Sequence, residues 1–339
     1  KNPNEIPLTS VKASGGVVKT NDSATLIDLG DGILCAEFHT KMNAIDTDLG
    51  MILQEGVKLL NDGQFEGMVV GNQGQHFCAG ANIFVVLGEA MQENWKAIDE
   101  AVNAFQQINQ AMRFCRKPIV SAPHHYTLGG GTEICQHTAK AVIAGETYGG
   151  LVEVGVGLVP GGGGVKEMLR RALAYLPGGV EDTDPLPYLR RAFENIALAK
   201  VSTSGGEYIE LGYLSDDNIV TASFDQQIKR AKDVCLGLNK MGYRAPKPAS
   251  LVAFGEPMRA AFRVALYGFK LGGFASDHDV LIAEKVAHIL TGGDRSPGTK
   301  ITEQDVLDLE REAFLGLVGT EKTQQRIQAM LTTGKPLRN

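Results

Sequence analysis

The sequence predicts an α/β protein, with a core of repeated ββα-type turns followed by an extended C-terminal helical region. Three observations predict it. Short apolar, β-prone runs bounded by glycine or proline recur between residues 24 and 144. Segments between them carry apolar residues at helical spacing. From Phe224 onward only helical spacing remains.

Residues 1–22 are polar, hold Pro3, Pro7 and Gly15-Gly16, and read as a lead-in or linker; 23–222 read as the core and 223–339 as a C-terminal helical domain. Runs 24–29 and 33–38 flank Gly-Asp-Gly, a hairpin signal. Residues 46–60 place Leu49, Ile52, Leu53, Val57 and Leu60 on one helical face with Asp46 as cap. GMVVG at 67–71 is a buried strand, and QGQHFCAGA at 73–81 a loop that flexes at Gly74 and Gly80. Residues 90–116 read as one helix, with Ile98, Val102, Phe105, Ile108 and Met112 on a single face. A strand follows at 118–122, opened by Pro118, where no ladder donor is lost. Gly129-Gly130-Gly131 then turns the chain into a short helix starting near Glu133. Residues 140–144 form a strand, Gly161–Gly164 opens a helix, and the acidic stretch 176–187 is a surface excursion. Helices at 188–199 and 204–211 close the core; the tail holds helices at 224–240, 256–272, 277–291, 303–317 and 321–333. Their apolar faces call for cover from the core or a second subunit.

The chain has 339 residues, 43% of them apolar, and a formal net charge of -6. That balance argues against a nucleic-acid polyanion as the main partner. No run of 18 apolar residues exists, so no membrane span is expected, and the expected location is cytoplasmic. Five cysteines without CxxC spacing read as buried thiols in a reducing compartment. The sequence begins at Lys1 rather than Met, which suggests a piece of a longer polypeptide.

Two carboxylates stand among apolar residues and glycines: Glu133 after GGG, and Glu153 after Gly149-Gly150. Brought to one pocket, they cannot both ionise easily, which makes one an acid and the other a base. Helix caps or partners of arginines are the alternative reading. Gly155-Val156-Gly157 meets Pro160 where a dinucleotide fingerprint wants glycine, and Gly161–Gly164 lacks the Lys-Ser/Thr of a phosphate loop. His76, Cys78, Cys135 and His137 have no zinc spacing, so no metal is expected. His124 and His125 end a strand near the glycines and are candidates for lining a pocket.

QHFCAGANI (75–83), KPIVSAPHHYTLGGGTE (117–133) and GLVEVGVGLVPGGGG (150–164), in that order, resemble the crotonase (enoyl-CoA hydratase/isomerase) superfamily. The resemblance runs from about residue 33 to 220, and 310–336 is similar to the family's C-terminal helices, which usually build trimers. It implies a crotonase-like ββα spiral and an oxyanion hole made by the N–H groups of Ala81 and Gly130. It also implies reversible hydration of trans-2-enoyl-CoA to 3-hydroxyacyl-CoA in fatty-acid β-oxidation, with Glu133 activating water and Glu153 protonating the α-carbon. A Δ3,Δ2-enoyl-CoA isomerase using Glu153 alone, and a non-catalytic acyl-CoA-binding module, are the alternatives. No separate cofactor is implied, because CoA belongs to the substrate thioester. The departures are Asn82 for the family's usual Asp, Gly149-Gly150-Leu151-Val152 before Glu153, and Phe84 near the place of its usual lysine. Lys322, Arg326 and Lys335 are substitute cations for the CoA phosphates, with solvated helix faces as the plainer reading. The added length resembles the C-terminal hydratase part of bacterial multifunctional β-oxidation enzymes, which implies association with a 3-hydroxyacyl-CoA dehydrogenase part or a homo-oligomer.

Overall fold

The computed structural model describes residues 2–339; Lys1, the first residue of the expected lead-in, lies outside them. The chain opens with α1 (Leu8–Ala13), β1 (Val17–Thr20), β2 (Ala24–Asp28), β3 (Ile33–Phe38), α2 (Thr47–Asn61) and β4 (Gly67–Val70). There follow α3 (Ile83–Met91), α4 (Trp95–Arg113), β5 (Ile119–Ser121), β6 (His125–Leu128), α5 (Gly130–Gln136), β7 (Lys140–Ala144) and β8 (Thr147–Gly150). Next come α6 (Gly164–Ala174), α7 (Leu186–Ala197), α8 (Gly205–Glu210), β9 (Ile219–Thr221) and α9 (Gln227–Lys240). The last elements are β10 (Leu251–Val252), α10 (Gly255–Leu271), α11 (Asp277–Leu290), β11 (Lys300–Ile301), α12 (Glu303–Val318) and α13 (Glu321–Thr333). Short 3-10 turns occupy Lys41–Asn43 and Glu153–Val156. The expected α/β class is what the structure shows.

The chain forms two compact units from interleaved segments. The first takes residues up to 81, 107–150 and 201–247; the second takes 82–106, 151–200 and 248–339.

The first unit is built on a sheet of order β1-β2-β3-β4-β5-β7-β9. Its first three strands pair antiparallel, and β2 turns into β3 through the Gly-Asp-Gly hairpin. From β3 to β9 every pairing is parallel. Parallel strands are covered on both faces, and β4 and β5 are buried at every residue, which is why they read as short buried runs. Asp46 caps α2 as expected, its carboxylate accepting from Leu49 N–H at 2.8 Å. The segment read as a lead-in supplies α1 and edge strand β1, and Leu8 sits in the core beside Ile33, Val69 and Val120. Helix α9, read with the tail, joins the same core through Ile228, Ala231 and Cys235.

A second, two-stranded sheet pairs β6 with β8 in parallel, His125 opposite Thr147 and Leu128 opposite Gly150. Sequence reading missed both strands, because HYTL and TYGG are short and carry no apolar alternation. This small sheet aims the chain at Gly129 and α5. A Cβ added at Gly131 would lie 2.8 Å from the Cys78 carbonyl oxygen and 2.9 Å from its Cβ, so the helix start rests on the loop before Ala81 only because residue 131 is glycine.

In the second unit α6, α7, α10, α11 and α12 pack on one another, with Phe193 stacked on Phe262 at 4.7 Å. The glycine run before α6 meets an internal anion. The fully buried Glu310 of α12 accepts from Gly163 N–H at 2.8 Å and Lys166 N–H at 2.6 Å, occupying the positive end of the helix. The helix expected over 90–116 is two helices, because residues 92–94 break it and Glu93 takes a left-handed φ of 54°. Asn82, where the family usually has Asp, caps α3 by accepting from Phe84 N–H at 3.2 Å. Either residue type does this equally well, so the departure is conservative at this cap.

Gly131→Ala should lower unfolding stability by about 1–3 kcal/mol, as overpacking does. Gly88→Ala, in open space on α3, should leave it unchanged or raise it by up to about 1 kcal/mol, both read from denaturant midpoints. His124 is 3% exposed, with Phe224 at 4.6 Å, and burial pushes its imidazole down to about 4. The unfolded chain therefore binds more protons between pH 6.5 and 4, and stability falls as pH falls through that window. Between pH 7 and 4.5 wild type should lose about 2–3 kcal/mol more than His124→Gln.

Candidate active site

The loop through Ala81 is held on two sides. Phe77 N–H donates to His124 O at 3.1 Å, Cys78 N–H to Tyr126 O at 3.0 Å, and Leu128 N–H returns to Cys78 O at 2.9 Å, so the loop runs beside β6. On its other side Ala79 N–H donates to Met42 O at 3.1 Å and Ile45 N–H to Gly80 O at 2.9 Å. Strand β6 continues into Gly129 and Gly130. A Cβ built on Gly80 would stand 3.5 Å from Leu128 O and 4.0 Å from Gly130 N, so the loop and the start of α5 abut. Among the described residues, neither Ala81 N–H nor Gly130 N–H donates to another group of the chain. Gly130 is the first residue of α5, where no intrahelical acceptor exists. Two unused donors beside each other suit one oxygen that gains negative charge.

Glu133 lies in the first turn of α5 and is 2% exposed. Thr132 fixes the turn below it: its hydroxyl donates to Thr127 O at 2.6 Å and accepts from Gly150 N–H at 3.1 Å. Gly129 N–H also donates to Gly150 O, at 2.8 Å. Thr132 was not singled out from sequence; its only signal is a hydroxyl inside a glycine run. His137 Nδ1 lies 2.6 Å from the Glu133 carbonyl, which makes Nδ1 the protonated nitrogen. The Cys78 thiol is pushed up to about 12, chiefly by burial, with the Glu133 charge adding to the effect. A thiol so raised is no nucleophile.

Glu153 belongs to the second unit, where it opens the 3-10 turn Glu153–Val156 and is half-buried. Its carbonyl accepts from Leu158 N–H at 3.0 Å. The structure thus brings Ala81, Gly130 and Glu133 together in the first unit and sets Glu153 on a turn of the second.

The two histidines expected near the glycines separate. His124 is a core residue whose Nε2 lies 3.0 Å from Gly74 O. His125, at a φ of 45°, sets its Nδ1 2.9 Å from His76 Nδ1, and His76 stacks on Tyr126 at 4.6 Å. At that distance one ring donates and the other accepts. His76 is lowered by burial and then by the neighbouring His125. Of the tail cations, Lys322 and Lys335 are exposed, whereas Arg326 is 1% exposed and bonded to Asp279 at 2.8 Å. Arg326 is therefore not a cation on a solvated face.

Residues 35–176 match the family model described as enoyl-CoA hydratase/isomerase. A Bacillus subtilis (strain 168) protein named "Probable 3-hydroxyacyl-CoA dehydrogenase" is 40% identical over 339 residues, covering 100% of this chain and 42% of the relative. A Rickettsia felis protein bearing the name of a fatty acid oxidation complex trifunctional enzyme is 27% identical, over 93% of this chain and 40% of its own length. The chain thus spans about two fifths of these relatives. Among solved structures, a carnitinyl-CoA dehydratase from Mycobacterium thermoresistibile superposes with a TM-score of 0.65 at 16% identity, over 92% of this chain and 90% of that one. An enoyl-CoA hydratase from Bacillus halodurans gives 0.61 at 15% identity, over 91% and 100%. The expected resemblance and fold agree with these findings: residues 35–176 match the enoyl-CoA hydratase/isomerase family, and the chain has the fold of these solved crotonase-type structures.

Proposed function

We propose that this chain reversibly hydrates trans-2-enoyl-CoA to 3-hydroxyacyl-CoA. The observation that carries the reading is the pair of unused donors, Ala81 N–H and Gly130 N–H, on abutting segments next to the buried Glu133. The family match and the names of the relatives support a CoA thioester as the substrate class.

In this mechanism the thioester oxygen accepts from both backbone N–H groups. Glu133 takes a proton from water as its oxygen bonds to C3, the C2–C3 π pair shifts toward the carbonyl, and negative charge gathers on the thioester oxygen. Glu153 then gives a proton to C2, and the carbonyl re-forms. One water is consumed; Glu133 ends protonated by the proton it took from that water, Glu153 ends ionised after giving its own proton to C2, and proton exchange with solvent restores both. Each donor contributes about 3–4 kcal/mol to holding the enolate, judged from the effect of deleting one such donor. The product is what a 3-hydroxyacyl-CoA dehydrogenase oxidises, and the name of the Bacillus subtilis relative supports an association with that activity.

Loss of the conjugated enoyl-thioester absorbance measures the reaction. Glu133→Gln and Glu153→Gln should each lower kcat by on the order of 10²–10⁴-fold. Wild-type rates in both variants would sink the proposal. Should Glu133→Gln retain turnover of a 3-enoyl-CoA, isomerisation by Glu153 alone is the activity.

A further inference from the structure

The turn Glu153–Val156 is too short to hold its own shape. Its local bonds are Gly155 N–H to Val152 O at 2.9 Å, Gly157 N–H to Val154 O at 3.0 Å and Leu158 N–H to Glu153 O. Helix α13 of the same unit packs against it. Gly157 takes a φ of 86°, and a Cβ there would lie 2.8 Å from Thr323 Oγ1 and 2.9 Å from its Cα, so the helix touches the turn's end directly. The Thr323 hydroxyl donates to Gly157 O at 2.8 Å. A hydroxyl has one proton, so its 2.9 Å contact with His278 Nε2 requires that nitrogen to donate. One helical turn further, Arg326 Nη1 approaches Val154 O at 3.5 Å and binds Asp279 at 2.8 Å, while Nη2 meets Ser276 Oγ at 3.2 Å. Ser276 and Asp279 are the two halves of the capping box that starts α11. Thr323 is 0%, His278 3% and Arg326 1% exposed.

We propose that Thr323, oriented by His278, is a positioning residue for Glu153. This rests on the reading that Glu153 protonates the α-carbon. Two carbonyls near Glu153, those of Val154 and Gly157, are met by side chains of α13, and both side chains are tied in turn to α11. The C-terminal helices thereby set where the Glu153 turn stands. Buried networks of this kind hold one arrangement when every member is satisfied, and a displacement of about 1 Å at a reacting group costs about 10²-fold in rate.

The test compares Thr323→Val, which keeps the shape and removes the hydroxyl, with Thr323→Ser, which restores it, measuring enoyl-CoA hydration and denaturant midpoints beside Glu153→Gln. Thr323→Val should lower kcat by about 10- to 100-fold with KM within about twofold, and Thr323→Ser should recover most of that rate. Wild-type kcat in Thr323→Val beside an inactive Glu153→Gln overturns the positioning role alone; wild-type kcat in Glu153→Gln overturns both it and the reading it rests on. Equal losses in the Val and Ser variants make Thr323 merely structural and also overturn the role. If Thr323→Val fails to fold, His278→Gln, which keeps a donor, is compared with His278→Leu, which does not. Loss of kcat in the Leu variant alone supports the relay, and equal rates overturn it.

Discussion

The close approach of the loop before Ala81 to the start of α5 is the constraint on which the candidate site depends. Gly131 allows contact with Cys78, and Gly80 lies against Gly130, so two backbone N–H groups from distant parts of the sequence stand side by side without an acceptor of their own. Side chains could be repacked around a looser junction. Backbone donors cannot, because their direction is set by the path of the chain. The strand β6, the Thr132 hydroxyl and the bridge from Cys78 to Thr127 all serve to hold that path.

The second unit answers a similar problem in a different way. Its glycine run also ends at a helix start whose first N–H groups have no intrahelical acceptor, and there the buried Glu310 accepts from Gly163 and Lys166. One glycine-rich helix start has its donors taken up by a carboxylate of the chain; at the other, Gly130 N–H has no acceptor among the described residues. Glycine content alone does not distinguish them. What decides is whether a carboxylate from elsewhere in the chain fills the positive end of the helix.

Local structure is legible in the sequence where the determining partner is near in the chain. Asp46 caps α2 three residues before its bonded N–H, and Gly-Asp-Gly turns β2 into β3. Gly129–Gly131 starts a helix that carries Glu133. Legibility fails where the partner is remote or the signal is backbone geometry: β6 and β8 exist through their pairing with each other, and the break at Glu93 rests on one left-handed residue. Arg326 reads as a solvent-facing cation on an amphipathic helix, but Asp279 and Ser276 bury it.

By itself the sequence determined the α/β class, most helices, the buried strands β2 to β5 and β7, and Glu133 and Glu153 as candidates for chemistry, with Ala81 and Gly130 added by the family resemblance, because short-range periodicity, caps and motif order are written along one dimension. Only the tertiary structure decided which donors stay unused, which glycine run is filled by Glu310, and which side chains brace the turn of Glu153. Those outcomes depend on residues as far apart as Gly157 and Thr323 meeting within hydrogen-bond distance, and no spacing along the chain records such a meeting.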